Sequence, residues 1–217
     1  MDFAAARLNM VESQVRPNKV TDTAVLLAML AVPRERFVPE ALRSVAYVDD
    51  DIAIAPGRAL MEPMVLARLL QAAALEPGET VLEIGSGTGY GAAVMARIAP
   101  RVVALESDPA LASHARAALA ETGAANVEVV EGPLEDGWPG GAPYRVIVFG
   151  GAVARIPATI ESQLAEGGRL LAVQAAPGEP GRAMLVRKIG GTLARRVIFD
   201  AAVARLPGFT VEPGFVF

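Results

Sequence analysis

Val81-Leu82-Glu83-Ile84-Gly85-Ser86-Gly87-Thr88-Gly89-Tyr90 decides the reading of this chain. An apolar run of strand character enters three glycines at alternate positions, and a helical pattern follows from Tyr90. Glycine lets a backbone turn sharply and approach a ligand without a Cβ in the way. In open α/β sheets such a turn, at the carboxyl end of a strand, is where ligands bind. A dinucleotide fingerprint would read G-x-G-x-x-G, with a pyrophosphate at the helix N-terminus. Here the spacing is G-x-G-x-G, and Glu83 stands just ahead of the first glycine. A carboxylate repels a pyrophosphate but attracts an ammonium and a sulfonium, the two cations of S-adenosylmethionine. The loop therefore points to that cofactor, with Glu83, Gly85, Ser86, Gly87, Gly89 and Tyr90 as candidate contacts.

Working outward, Glu106 closes the apolar run Val102–Leu105 about 20 residues past the first glycine, where an acid can accept both hydroxyls of an adenosine ribose. Ser107 follows it. Nicotinamide enzymes use such an acid too, so Glu106 supports an adenosine ligand without choosing the cofactor. Beyond the next strand, Glu131-Gly132-Pro133-Leu134-Glu135 falls where the adenine ring would lie. Pro133 has no N–H, so the Leu134 amide is the candidate donor.

From Glu79 onward, short Val, Ile and Leu runs alternate with helical patterns. Strands are predicted at Thr80–Ile84, Arg101–Leu105, Val127–Val130, Arg145–Phe149 and Arg169–Val173. Helices are predicted at Tyr90–Ile98, Pro109–Thr122 (capped by Asp108) and Pro157–Leu164. Continuous apolar strands each followed by a helix mean a parallel sheet covered on both faces. After the loop Pro177–Gly181, Met184–Ile189 and Leu193–Phe199 flank Gly190-Gly191 as an antiparallel pair, and Val203–Leu206 reads as a last strand. The first 78 residues have a different texture. Phe3, Leu8, Val11 and Val15 fall on one helical face ended by Pro17. A second helix, capped by Thr21 or Asp22, runs through Leu30 and closes at Pro33; a third runs from Met64 to Leu75 after Glu62-Pro63. Between them Tyr47–Gly57 reads as a loop carrying Asp49, Asp50 and Asp51. The expected architecture is α/β: a Rossmann-like class I methyltransferase fold at residues 79–217, mainly parallel with antiparallel C-terminal strands. An N-terminal helical extension, residues 1–78, caps its substrate side, giving one compact domain overall.

Composition narrows the function classes. At 217 residues the chain can bury a sizeable core. It has no cysteine, which removes disulfides, thiolate nucleophiles and Cys-based metal sites, and no metal site is expected. A net charge of −4 without a basic cluster argues against extended nucleic-acid binding. Charged residues interrupt every apolar run before the roughly 18 residues of a membrane span, and Asp2, Arg7 and Glu12 are unlike a signal peptide. A cytoplasmic enzyme, monomer or homodimer, is expected.

With these motifs in place, the sequence resembles the protein-L-isoaspartate O-methyltransferase family over nearly its whole length. Besides "VLEIGSGTGY", the stretch "VPRERFVPE" (Val32–Glu40), Ala46-Tyr47 followed by acids and Ile52-Ala53-Ile54, and Ala142-Pro143-Tyr144 fall in family order, as do "IPATIESQLAEGGRLL" (Ile156–Leu171) and "VARLPG". The resemblance implies carboxyl O-methylation of isoaspartyl residues, a protein-repair reaction. It also places the acceptor pocket at Ala59, Leu60, Met61 and Glu62, where the family carries Thr-Ile-Ser-Gln before Pro63. Both hydroxyls are therefore replaced here, and the family's Gly-Asp-Gly is Gly132-Pro133-Leu134, with Glu131 or Glu135 as possible substitutes for its acid. No catalytic residue is assigned: a carboxylate acceptor with a pKa near 4 is ionised at neutral pH and needs no general base. His114, the single histidine, falls on a predicted helix surface. Trp138 reads as a loop anchor or a shield for the adenine edge; Phe209, Phe215 and Phe217 read as packing or partner contacts. The alternatives are a methyltransferase with another carboxylate or small-molecule acceptor, a cofactor-binding partner protein without catalysis, and a nicotinamide-dependent oxidoreductase, which Glu83 and the glycine spacing disfavour.

Overall fold

A computed structural model of the chain describes residues 1–176 and 178–209. The N-terminal third begins with α1 (Phe3–Met10), whose Asp2 carboxylate accepts the Ala4 and Ala5 amides, a standard N-cap. The helix widens at Val11–Val15 and tightens at Arg16–Asn18 around Pro17. That change of pitch turns Met10, Val11 and Val15 inward and leaves Leu8 half-exposed, so the single face expected for Phe3, Leu8, Val11 and Val15 does not survive. α2 (Thr23–Ala31) is capped by Asp22. Next comes a correction: four of the eleven residues of the expected Tyr47–Gly57 loop are strand. β1 (Ile52–Ala55) and β2 (Arg58–Leu60) pair antiparallel around Pro56-Gly57. The run is too short for period-two alternation to stand out. α3 (Pro63–Ala73) follows, with Pro63 in its first turn, as the sequence indicated.

The main sheet holds seven strands: β3 (Thr80–Ile84), β4 (Arg101–Glu106), β5 (Val127–Glu131), β6 (Tyr144–Val153), β7 (Leu164–Gln174), β8 (Arg182–Ile189) and β9 (Thr192–Asp200). Their order is β5-β4-β3-β6-β7-β8-β9, parallel through β7 and antiparallel beyond it. Helices α4 (Tyr90–Met95), α5 (Pro109–Glu121) and α6 (Ala158–Ser162) occupy the crossovers, α4 and α6 being shorter than their patterns predicted. The chain leaves β3 toward β4 and β5 and later returns to β3's other edge with β6. The carboxyl end of β3 is thus the switch point at which open sheets bind ligands. Val203–Leu206 is not a strand; it makes one bridge, Arg205 to Ala152. β3 flanks β6 only as far as Phe149, and the segment meets β6 just past that point, at Ala152, while β7 continues along the strand to Val153.

Alternate strand residues divide between two cores. Val81, Val102, Val146 and Leu171 face the extension and α3–α5; Leu82, Ile84, Ile147 and Leu170 face Ile160, Leu206 and Phe209. Phe209 meets Phe149 edge-on at 5.6 Å. Phe215 and Phe217 lie outside the described residues. Arg169 on β7 locks the end of α3 to the sheet, donating to the Ala73 and Ala74 carbonyls and pairing with buried Glu79. No helix among the described residues is long and apolar enough to cross a membrane.

Candidate active site at the carboxyl edge of the sheet

Gly85, Gly87 and Gly89 all adopt positive φ, from 57° to 92°, a region that costs other residues roughly 1–2 kcal/mol each. The loop they form is pinned from both sides. The Gly85 and Ser86 amides donate to the Leu105 carbonyl at 2.9 and 3.1 Å, and the Gly87 amide donates to Glu106 Oε2 at 2.7 Å. From the extension, Thr88 Oγ1 donates to the Phe37 carbonyl at 2.5 Å. Ile54 of the β1–β2 hairpin lies so close to Gly87 that a Cβ there would fall 2.8 Å from its methyl group. Leu206 presses on Gly85 in the same way from the second core. Neither Thr88, Ile54 nor Leu206 carries a sequence signal for this role, since each reads as ordinary packing.

Glu83 is buried, with one carboxylate oxygen bonded to the Ala92 amide and Oε2 without a partner among the described residues. Burial pushes its carboxyl up to about 8; the Ala92 amide opposes that shift and nearby Glu106 adds to it. The carboxylate fills the space above Gly91, where any Cβ would overlap it. Ser86 Oγ is also buried and unpartnered among the described residues. An unpaired serine hydroxyl and an uncompensated acid beside a glycine-rich loop suit a polar, cationic ligand.

Glu106 ends β4 fully buried, with Oε1 accepting the Ser107 and Asp108 amides at 2.8 and 3.0 Å. Ser107 itself is exposed. The feature the sequence did not suggest is Arg58: from β2 it reaches Glu106 with both terminal nitrogens, at 2.5 and 2.6 Å. Of the residues expected to meet adenine, Pro133 is exposed and Leu134 buried, and a cleft opens between Gly132, Pro133, Gly137 and Trp138. Trp138 packs on the second core and its amide donates to Gln163, so it anchors the loop while lining that cleft. Glu131 is engaged with Arg116 at 2.8 Å.

The Tyr90 side chain points away from the loop into the extension. Its ring is sandwiched between Phe37, edge-on at 5.7 Å, and the Arg34 guanidinium at 4.7 Å. Of the residues expected at the acceptor pocket, Leu60 and Met61 are buried in the first core, while Ala59 and Glu62 are half-buried. Burial pushes the Glu62 carboxyl up to about 7, reinforced by Asp49, Asp51 and Asp50. Asp51 is no free loop acid: it accepts the Glu62 amide at 2.8 Å and the Ala204 amide at 2.7 Å, tying the hairpin to the C-terminal segment. His114 sits half-buried on α5. No metal-binding group of His, Asp or Glu occurs among the described residues.

A switch-point glycine loop with an acid at the end of the neighbouring strand, beneath a helical cap, defines a Rossmann-like methyltransferase of the S-adenosylmethionine-dependent class. The particular family follows from comparison with known proteins. The family described as protein-L-isoaspartate(D-aspartate) O-methyltransferase matches residues 6–199, and this chain belongs to it. A protein-L-isoaspartate O-methyltransferase 1 of Rhodopseudomonas palustris is 46% identical over 78% of this chain and 69% of its own. One from Koribacter versatilis is 37% identical over 95% and 92%. Among solved structures, a protein-L-isoaspartate O-methyltransferase superposes with a TM-score of 0.82 at 28% identity, over 93% of this chain and 66% of that one. A Plasmodium falciparum structure bound to S-adenosyl-L-homocysteine shares the fold, with a TM-score of 0.80 at 20% identity over 91% and 96%.

Proposed function

We propose that this chain transfers the methyl group of S-adenosylmethionine to a carboxylate of a protein or peptide, the isoaspartyl carboxylate of damaged proteins being its acceptor. The observation that carries this reading is the reach of the family match. It runs from residue 6 to 199, so it includes the extension that walls the glycine loop and not the loop alone. When bound, the cofactor supplies a methyl group on a sulfonium, an electrophile that needs no further activation. The chain's own residues position and shield. Ser86 Oγ and Glu83 would hold the amino-acid end, and Glu106 would hold the ribose. Leu60 and Met61 form an apolar wall that keeps water from the meeting of carboxylate and sulfonium, where opposite charges neutralise. Glu62 replaces a neutral family residue, yet near neutral pH a large share of it is uncharged, so its repulsion of an incoming carboxylate is reduced.

The test is radiolabelled methyl transfer to an isoaspartyl peptide, with the matching aspartyl peptide as control. Base-labile ester on the first and not on the second is expected. No ester above background, with S-adenosylhomocysteine binding intact, would move the acceptor to another class. The acids Asp49, Asp50 and Glu62 beside the pocket favour a cationic small molecule in that event.

A further inference from the structure

We infer that Arg58 is an internal competitor for the ribose seat of the cofactor: the Arg58–Glu106 pair and a bound ribose exclude one another, and this residue sets the cofactor affinity. The inference deepens the function proposed above and rests on the reading of Glu106 as the ribose acid. It follows from counting lone pairs. An ionised carboxylate has about four acceptor positions. Glu106 Oε1 already takes Arg58 Nη1, the Ser107 amide and the Asp108 amide; Oε2 takes Arg58 Nη2 and the Gly87 amide. Five donors already crowd these positions, so two ribose hydroxyls can be taken up only in place of the two bonds that Arg58 makes. The three amides belong to the backbone of the glycine loop and the turn after β4, and cannot leave without unmaking the site. Among the described residues two side chains donate to Glu106: Ser107 Oγ, exposed and at the long distance of 3.5 Å, and Arg58, whose two bonds are 2.5 and 2.6 Å and occupy both oxygens.

The hairpin that carries Arg58 sits on the loop itself, with Ile54 over Gly87. Displacing the guanidinium therefore disturbs the strand that leads directly into Leu60, Met61 and Glu62. Filling the ribose seat and shaping the acceptor wall become one event. A bidentate guanidinium–carboxylate pair out of water is among the stronger polar contacts a protein makes, so a ribose replacing it gains less than a ribose meeting a free acid.

Calorimetry with S-adenosylhomocysteine tests this without reference to turnover. Arg58→Gln and Arg58→Ala are expected to bind about tenfold more tightly than the parent chain, a difference of about 1.4 kcal/mol. Arg58→Lys, which cannot form the bidentate contact, is expected in between. Glu106→Gln is expected to bind more weakly. Thermal melts confirm folding, which the three amide bonds to Glu106 favour even without the arginine. Unchanged or weaker binding by the folded Arg58 variants, with Glu106→Gln impaired, would overturn the competitor role and leave the cofactor site standing. Binding by Glu106→Gln equal to the parent's would instead overturn the ribose assignment, and the inference with it. A parent that binds nothing while Arg58→Gln binds would be its strongest support; no binding by either would remove the cofactor reading altogether.

Discussion

At the scale of single residues, an acid and an arginine have environments that differ from what their letters suggest. Glu62 reads in the sequence as a plain negative charge at the acceptor position. In the fold its carboxyl is pushed up to about 7 by burial first and by three aspartates second. Below that value it is neutral and tolerates an anionic acceptor; above it, the charge opposes one. The acceptor carboxylate, with a pKa near 4, stays ionised throughout. The second-order rate constant for a carboxylate peptide is therefore expected to fall as pH rises from about 6 to about 8.5. Glu62→Gln should flatten that profile and raise the alkaline rate several-fold. Steady-state kinetics on both proteins would check it; parallel profiles would mean that Glu62 does not face the acceptor. Arg58 is the opposite case. Its partner Glu106 was evident from strand position, but no local pattern tells an arginine which of 24 acids it will meet. That contact spans 48 positions and exists only once β2 lies on the loop.

At the scale of elements, the strands of the main sheet were legible because each is an apolar run bounded by Gly, Pro or charge, and burial on both faces demands that composition. Thr80–Ile84 was read to the residue, while β6 and β7 proved longer because their ends hold glycines that carry no strand signal. The β1–β2 hairpin was missed because seven strand residues split four and three give no period to detect. The contact between β3 and α4 carries a prediction. Glu83 leaves β3 and is buried against the first turn of α4, with its carboxyl raised to about 8. A group whose folded pKa is raised takes up a proton on folding, so the stability it confers is complete below its unfolded pKa of about 4.5. That stability is lost progressively as pH rises through about 8. Glu83→Gln keeps the shape without the charge. It should match the parent's melting temperature near about pH 5 and exceed it near about pH 8.5, by an amount equivalent to a few kcal/mol at most. It should also weaken cofactor binding, because the cationic amino-acid end loses its counter-charge. Equal melting temperatures at both pH values would show that Glu83 ionises without penalty.

At the scale of the whole molecule, the division into an extension and a sheet domain is one of chain order, and the core does not respect it. Met10, Val15, Phe37, Val65 and Leu69 share one buried cluster with Val81, Val102, Val146 and Leu171. Without the extension, the part of that face not covered by α4 and α5 would lie open to water as an apolar patch. Arg34 sits at the junction, fully buried, its Nε donating to the Ala46 carbonyl and its Nη2 to the Met61 carbonyl, both at 2.8 Å. Its guanidinium also stacks on Tyr90, the first residue of α4. It therefore joins the turn at Ala46, the segment that follows β2 at Met61 and the helix behind the glycine loop through one side chain. Arg34→Met retains most of the volume but leaves two buried carbonyls without donors, at a cost of about 2–4 kcal/mol. If extension and sheet are one cooperative body, urea unfolding of this variant followed by far-ultraviolet dichroism and by Trp138 fluorescence should give a single coincident transition. The whole of that transition should move to lower urea. Trp138 packs on the opposite core, remote from Arg34, and so reports on the sheet rather than the extension. A fluorescence midpoint left unmoved while the dichroism midpoint falls would show the extension unfolding alone. The acceptor wall would then be a separable lid and not part of the enzyme's frame.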